Sequence, residues 1–546
     1  VVWEQPPDRE DFGYLQLWDA VAAAIPDREC IVQGEHRQTW QQTRERSQRL
    51  GWWLTGHGFG YRGPDVAPWE SPNDLVGILM RNRPEFLETV LGAYRARCAP
   101  FNINYRYKAA ELAHILDDAR PSALVLQAEF AAVVREAIAL ATAPAPRLIV
   151  VADDSDAGAA GDGADYETVL AQASPPERQP VSSPDDVHVL YTGGTTGLPK
   201  GVMWQQRELA GGATGTTVPS LAEAAASAPR RTWLRAFPAP PLMHGAALWF
   251  AFNAWSRGGT LVLSTRTDHF DAAEAVELCT AERIAWMAMI GDVFAQPFIA
   301  ALEEADEVPP DLAYVFSSGA ALSERSWTGL RGFYPKLAII NALGSSETGP
   351  QAFQTESGES RFSAGPNTVV VSEDYTRILS PDEPGTGWLS NSGTLPRGYM
   401  GDEERTTATF RTVSGRRLAV SGDRASIDSA GEISFLGRDS NVINTGGEKV
   451  YAEEVERALK ALPAVADALV LGRDSPTWGQ EVVALVVDAP GHAATTDELR
   501  EGCRAALAGY KLPKAVFKVG KIERSASGKA DYAWARATVQ SADGAV

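Results

Sequence analysis

This chain has few of the residues that would tie it to a metal centre, an oxidising compartment or a nucleic acid. Its four cysteines, Cys30, Cys98, Cys279 and Cys503, lie far apart. They have neither the spacing of a metal site nor that of a disulfide framework. Long basic runs are missing too, and the net charge is −20. That balance argues against a nucleic acid or an anionic membrane surface as partner. An anionic nucleotide would have to be held by local loops and magnesium. No apolar run reaches the roughly 18 residues that a membrane span requires. Residues 1–10 are polar and contain proline, so no signal peptide is visible and the cytoplasm is the expected location. What the chain does have is length. Its 546 residues are too many for one hydrophobic core, so two or more domains are expected.

The densest chemical signal lies at residues 191–201, Tyr-Thr-Gly-Gly-Thr-Thr-Gly-Leu-Pro-Lys-Gly. It follows an apolar run, 187–190, that reads as a strand. Glycine lets backbone N–H groups approach an anion closely. Threonine hydroxyls add donors and Lys200 adds a mobile positive charge. Such a loop suits a polyphosphate. It is not the usual P-loop, because Pro199 separates glycine from lysine. The plain alternative is a glycine turn after a strand.

Around this loop, apolar runs alternate with helically spaced segments. Strands are expected at 74–80, 123–126 and 147–151, and helices at 83–98, 110–118 and 129–140. The alternation resumes with strands at 232–237, 260–263, 284–289, 312–317 and 337–341, separated by helices at 245–256, 272–281, 293–305 and 323–333. Strand–helix alternation implies βαβ units and parallel sheets, here two doubly wound sheets. Residues 366–411 switch to short β-prone runs with glycine and proline between them, which predicts a small barrel or meander. From residue 442 the pattern becomes α+β, long enough for a separate domain. The expected fold is therefore α/β: a large N-terminal domain, 1–438, of two doubly wound sheets plus a small β-barrel, and a small C-terminal α+β domain, 441–546, joined near Ser440.

Further stretches sharpen the reading. Residues 341–349, Asn-Ala-Leu-Gly-Ser-Ser-Glu-Thr-Gly, leave a strand end with a carboxylate among hydroxyls. Residues 421–425, Ser-Gly-Asp-Arg-Ala, place Asp423 in an expected turn after a strand. Residues 437–449, Gly-Arg-Asp-Ser-Asn-Val-Ile-Asn-Thr-Gly-Gly-Glu-Lys, and 524–529, Arg-Ser-Ala-Ser-Gly-Lys, follow in order. Singly, each has a bland reading: Asp423 as a turn carboxylate, Glu347 at a helix N-terminus, Lys529 as a solvated surface lysine. Together, in this order, they resemble the adenylate-forming superfamily of acyl-CoA synthetases, peptide-synthetase adenylation domains and luciferases. The resemblance runs from the strand at residue 74 to Lys529.

That resemblance implies a two-step ligase using ATP, Mg²⁺ and coenzyme A. A carboxylate attacks the α-phosphate of ATP, and a thiol then attacks the adenylate carbonyl. It also implies roles by position. Thr192, Gly193, Gly194, Thr195, Thr196, Gly197 and Lys200 would hold the β- and γ-phosphates. Gly319, Ala320 and Ala321 would line the adenine and the acyl tunnel, with Leu343, Gly344 and Ser345 beside them. Ser346 would contact the α-phosphate, and Glu347 with Thr192 would hold the metal. Asp423 would accept hydrogen bonds from the ribose hydroxyls, and Arg438 would contact ribose and phosphate. Lys529 would neutralise charge developing in adenylation. Gly446, Gly447, Glu448 and Lys449 would shape the coenzyme A site after a rotation of the C-terminal domain about Ser440.

On the acyl side, His244 after residues 240–243, Pro-Pro-Leu-Met, resembles the family's gate residue. Gly245, Trp249, Gly291, Gly319 and Gly344 would complete the acyl site, with the segment from Trp286 as a further wall. The motif variants are similar to those of actinobacterial ligases for steroid side chains and other bulky acids. A bulky polycyclic, terpenoid or steroid-like acid is therefore expected. Some positions depart from the family pattern. Leu343 stands where many members have an aromatic ring, a loss worth roughly 1 kcal/mol of stacking. Ser440 stands at the hinge where aspartate or lysine is usual, and Glu523 where proline is usual. Competing readings are an adenylation enzyme that loads a carrier protein, a thioesterifying enzyme fed by an upstream adenylating enzyme, and a non-catalytic nucleotide-binding scaffold. An amino-acid substrate would need an aspartate for its ammonium, for which Asp292 is the only nearby candidate.

Overall fold

A run that is apolar at every position can be buried on both faces, and this dictates the centre of the molecule. The computed structural model describes residues 10–153, 155, 163–192, 199–215, 218–320, 322–354, 361–365, 367–438, 441–445, 448–475, 479–504, 506–507, 509–524, 528 and 530–543. Leu75–Leu79 and Ala123–Gln127 are buried at every residue, as expected of parallel strands covered on both sides. They belong to a sheet of eight strands among the described residues. From Val187–Thr192 it runs through Ala99–Asn102, Leu75–Leu79, Ala123–Gln127 and Arg147–Val151 to Ala164–Asp165, all parallel. Beyond Val187–Thr192 it continues through antiparallel Lys200–Gln205 to Gly398–Tyr399. Helix Pro84–Arg95 starts on a proline, whose missing N–H would be an orphan at that position in any case.

The second sheet begins the same way and then changes hands. Thr260–Leu263, Arg235–Pro238, Trp286–Met289, Tyr314–Ser318 and Ala338–Ser345 lie side by side in parallel. From Gly349–Gln354 onward the pairing turns antiparallel, through Arg361–Ala364, Ile433–Arg438, Arg416–Ile427 and Gly385–Asn391 to Thr368–Ser372. The separate small barrel expected at 366–411 is thus a curled antiparallel extension of this sheet, not a free-standing unit. The reason lies in the turn at residues 346–348, which folds Gly349–Gln354 back onto the last parallel strand. The described residues from 441 on form a third unit, in which Val442–Thr445, Glu448–Tyr451, Val465–Ser475, Gly479–Asp488 and Ala515–Lys518 share one sheet.

Other departures have local causes. Residues 14–56, which carry no alternation pattern, fold as helices Tyr14–Ala24 and Trp40–Gly56 around a hairpin that extends the second sheet. The longer helix opens on a capping box, in which Thr39 Oγ1 accepts from Gln42 N (3.1 Å) and Gln42 Oε1 from Thr39 N (2.8 Å). The strand before the glycine- and threonine-rich stretch, Val187–Thr192, pairs antiparallel with the strand after it, Lys200–Gln205. Asp423 does not lie in a turn. It sits inside Arg416–Ile427, where Gly422 at φ +87° and a bulge at Arg424/Ala425 bend the strand without ending it.

Candidate active site

The C-terminal ends of the parallel strands converge on one cleft of about 2220 Å³. Ligands of parallel α/β sheets bind at such ends. Thr192, Lys200, His244, Gly245, Trp249, Gly319, Ala320, Leu343, Gly344, Ser345, Ser346, Glu347 and Asp423 all line it. The structure therefore brings together residues that lie more than two hundred positions apart. Gly193, Gly194, Thr195, Thr196, Gly197, Ala321, Ser440, Gly446, Gly447 and Lys529 lie outside the described residues. Arg438, Glu448 and Lys449 are described in their backbone alone.

The two ends of the phosphate loop face each other. Thr192 closes one strand, Lys200 opens the next, and the two pair directly. The Lys200 ammonium lies 4.9 Å from the centre of the Tyr399 ring. Tyr399 in turn donates its hydroxyl to Glu347 Oε1 at 2.7 Å. Burial, reinforced by the neighbouring Glu347 charge, pushes the Tyr399 hydroxyl well above its usual range, so it stays a donor. Lysine, tyrosine and carboxylate thus form a chain from two paired strands to the turn at Glu347. Tyr399 carries no motif of its own in the sequence. Only the pairing of Gly398–Tyr399 with Val202 and Met203 delivers it there.

Glu347 sits in a tight turn between antiparallel strands, which removes the helix N-terminus as an explanation for it. The turn is pinned by its own hydroxyls: Ser345 N donates to Thr348 Oγ1 (3.0 Å) and Glu347 N to Ser345 Oγ (3.3 Å). Trp204 Nε1 anchors the Ser346 carbonyl at 3.0 Å. A side chain at Gly344 would put its Cβ 2.3 Å from the Gly349 carbonyl oxygen, so only glycine fits beneath the turn. Asp423 is 2 % exposed, accepts from Ser421 Oγ at 3.2 Å and pairs in register with Arg438.

The part of the cleft expected to take the acyl group lies between helix Gly245–Ser256 and the sheet. His244 caps that helix and lines the cleft. Gly291 does not line it. Gly291 begins helix Gly291–Glu304 at φ +49° and donates its N–H to Ser317 Oγ at 3.1 Å, behind the wall. Asp292 is engaged as an anchor: its Oδ1 accepts from Ser323 N (2.9 Å), Ser323 Oγ (3.0 Å) and Ser326 Oγ (2.5 Å). A substrate ammonium would have to compete with those bonds.

From the C-terminal part, Asn441, Glu453, Arg457, Lys460, Arg524, Gly528 and Ala530 face the same cleft. Gly528 reaches the large domain, since a Cβ there would come 2.7 Å from Ile290 and 3.8 Å from Ala320. Its φ of +72° also favours glycine. The two neighbours of Lys529 in the chain, Gly528 and Ala530, thus both stand at the cleft.

A metal would find few protein ligands here: the described residues contain no cluster of three His, Cys, Asp or Glu side chains. One carboxylate beside a polyphosphate loop fits Mg²⁺, which takes most of its ligands from phosphate oxygens and water.

Residues 18–400 match the family model described as AMP-binding enzyme, and residues 454–529 match its C-terminal domain. The chain is similar to the medium-chain acyl-CoA ligase Mig of Mycobacterium avium, 43 % identical over 95 % of this chain and 96 % of that one. It is also similar to the 3-oxocholest-4-en-26-oate–CoA ligase of Rhodococcus rhodochrous, 36 % identical over 96 % and 95 % of the two chains. Among solved structures, a benzoate CoA ligase from Burkholderia xenovorans LB400 shares the fold with a TM-score of 0.79 at 19 % identity, over 96 % of this chain and all of the other.

Proposed function

The chain belongs to the AMP-binding enzyme family, and on that premise we propose that it converts a bulky hydrophobic acid to its coenzyme A thioester through an acyl-adenylate. It is an ATP-dependent, AMP-forming acid–thiol ligase. The acid and the residue roles are the proposal. The observation that carries it is the aromatic channel beside the nucleotide cleft, walled by Trp249, Phe250, Trp286, Tyr314 and Phe316. Such a wall is large, apolar and built from rigid rings.

In the first step an oxygen of the substrate carboxylate bonds to the α-phosphorus of ATP and pyrophosphate leaves. In the second the thiol sulfur bonds to the carbonyl carbon and AMP leaves. Thr192 and Lys200 hold the departing phosphates at the mouth of the loop. Asp423 accepts from the ribose hydroxyls, and Glu347 with Thr192 would hold Mg²⁺, which neutralises phosphate charge when bound. Lys529 supplies a cation at the carboxylate, and His244 stands at the entrance of the channel. Catalysis of this kind is mainly positioning and charge stabilisation. The C-terminal domain is proposed to rotate about a hinge near Ser440, bringing residues 446–449 to the cleft for the second step.

A polycyclic or steroid-like acid is favoured by the number of aromatic rings lining the cleft and by the Rhodococcus relative. A medium-chain fatty acid is the second reading, favoured by the Mycobacterium avium relative. Comparing kcat/KM for acid-dependent pyrophosphate release separates them. Bulky acids should exceed straight medium-chain acids by about tenfold or more. Equal values, or preference for the straight chains, would assign the second reading.

A further inference from the structure

The channel is apolar for most of its length and then ends on a cation. Its helical wall can be read residue by residue. Gly245, Ala246, Trp249, Phe250, Asn253 and Arg257 line the cleft, and their spacing of one, three and four makes one stripe of the helix. At 1.5 Å per residue, the twelve steps from Gly245 to Arg257 span about 18 Å. The sheet gives a second ruler. Tyr314, Phe316 and Ser318 alternate along one strand and all line the cleft, as do Trp286 at the start of the neighbouring strand and Ile290 just past its end. Four residues of strand measure about 13 Å. Ser318 and Ile290 stand at the reacting end, next to Gly319, whereas Tyr314 and Trp286 stand at the far end with Arg257.

At that far end Arg257 is held but not neutralised. Its Nε donates to Asn253 Oδ1 at 3.0 Å, and Asn253 Nδ2 is tied to the Thr214 carbonyl at 2.8 Å. The guanidinium lies 5.7 Å from the Trp286 ring centre, and that ring stacks on Tyr314 at 5.2 Å. Among the described residues no carboxylate forms an ion pair with it, and its side chain's hydrogen bond is the one from Nε to Asn253. Burial, and then the nearby Arg231, pull its pKa below the usual arginine value. A half-buried cation lacking a counter-charge is costly unless a ligand satisfies it. A pocket meant only for a hydrocarbon tail would place a methyl-bearing side chain here.

We propose that Arg257, oriented by Asn253 and stacked on Trp286, recognises a hydrogen-bond-accepting oxygen at the end of the acid remote from its carboxyl group. The substrate class is then a long, apolar carboxylic acid bearing a distal oxo or carboxylate oxygen. This rests on the ligase reading above and adds the polarity of the far end. Guanidinium suits both kinds of oxygen, since it presents several donors in a planar fork.

The test uses the whole protein with ATP and three acids of equal length ending in methyl, oxo or carboxylate. KM and kcat for pyrophosphate release are read for the native chain, Arg257→Met and Arg257→Lys. The native chain should have a KM about 10- to 100-fold lower for an oxygen-ended acid than for the methyl-ended one, the range expected of a hydrogen bond to a charged group. Arg257→Met should abolish that preference by raising KM for the oxygen-ended acids to that for the methyl-ended one, and Arg257→Lys should keep part of it. Preference for carboxylate over oxo assigns an anionic end; preference for oxo, or parity of the two over methyl, assigns a neutral one. Equal KM values for all three acids in the native chain would overturn the proposal even if neither variant folds. So would an Arg257→Met enzyme that loses turnover with all acids alike. If no acid drives pyrophosphate release, the ligase reading fails first and this inference with it.

Discussion

Tyr399 touches Glu347 across 52 positions of sequence, and the carboxylate depends on it for direction. Replacing it by phenylalanine keeps the ring under Lys200 but frees Glu347. We expect Tyr399→Phe to raise the Mg²⁺ concentration needed for half-maximal activity about tenfold, as loss of an outer-shell partner does. A magnesium titration of pyrophosphate release measures it, and an unchanged midpoint would remove Tyr399 from the site. His188 illustrates a different residue effect. It is 1 % exposed, its Nδ1 shares a hydrogen bond of 2.7 Å with the Tyr94 hydroxyl, and burial pulls its pKa to about 3. The folded chain therefore binds fewer protons than the unfolded one between pH 6.5 and 3. Stability should be complete above pH 6.5 and fall as pH drops through that window, by up to about 1.4 kcal/mol per unit. His188→Gln, which keeps an acceptor for Tyr94, should flatten the decline in urea midpoints from pH 7.5 to 5. Parallel curves for the two proteins would contradict it. Glu347 and Asp423 were legible from the sequence because each sits in a motif. Tyr399, Trp204 and Arg257 were not, because strand pairing and a helical stripe bring them in.

The elements that carry the site are hairpins and bends more than regular βα crossovers. The loop at 193–199 joins two antiparallel strands. The Glu347 turn joins the last parallel strand to the first antiparallel one, and Asp423 rides on a bulged strand. Periodicity detects an alternating or apolar run well, which is why the central strands at 75–79, 123–127 and 286–289 were readable in place. It does not detect a sheet that changes from parallel to antiparallel, since that depends on how closely two backbones can approach. Gly344 sets that approach. Gly344→Ala should force the strands apart under Glu347 and destabilise the domain by about 1–3 kcal/mol. The urea midpoint should fall together with pyrophosphate release, whereas a variant of native stability and activity would show that the hairpin tolerates a side chain.

At the scale of the molecule, the C-terminal domain completes the cleft that the large domain opens. Gly528 rests against Ile290 and Ala320, which sets the chain neighbour of Lys529 at the cleft. Lys529→Ala should cut acid-dependent pyrophosphate release by about 10²- to 10³-fold, the usual effect of removing one group that stabilises developing charge. Thioester formation from a supplied acyl-adenylate should survive. Equal loss of both half-reactions would break the proposed division of labour. The large-scale plan was legible because its motifs recur in fixed order along the chain. The first helices and the hairpin between them were not, since residues 14–56 carry packing information alone.

In the proposed reaction ATP is split to AMP and pyrophosphate as the acid is joined to coenzyme A. Mass spectrometry of one reaction with ATP, coenzyme A and a long oxygen-ended acid tests it most directly. One AMP and one pyrophosphate should appear for each acyl-CoA formed, and omitting coenzyme A should leave acyl-AMP on the enzyme. Formation of ADP and phosphate, or of thioester without AMP, would contradict it.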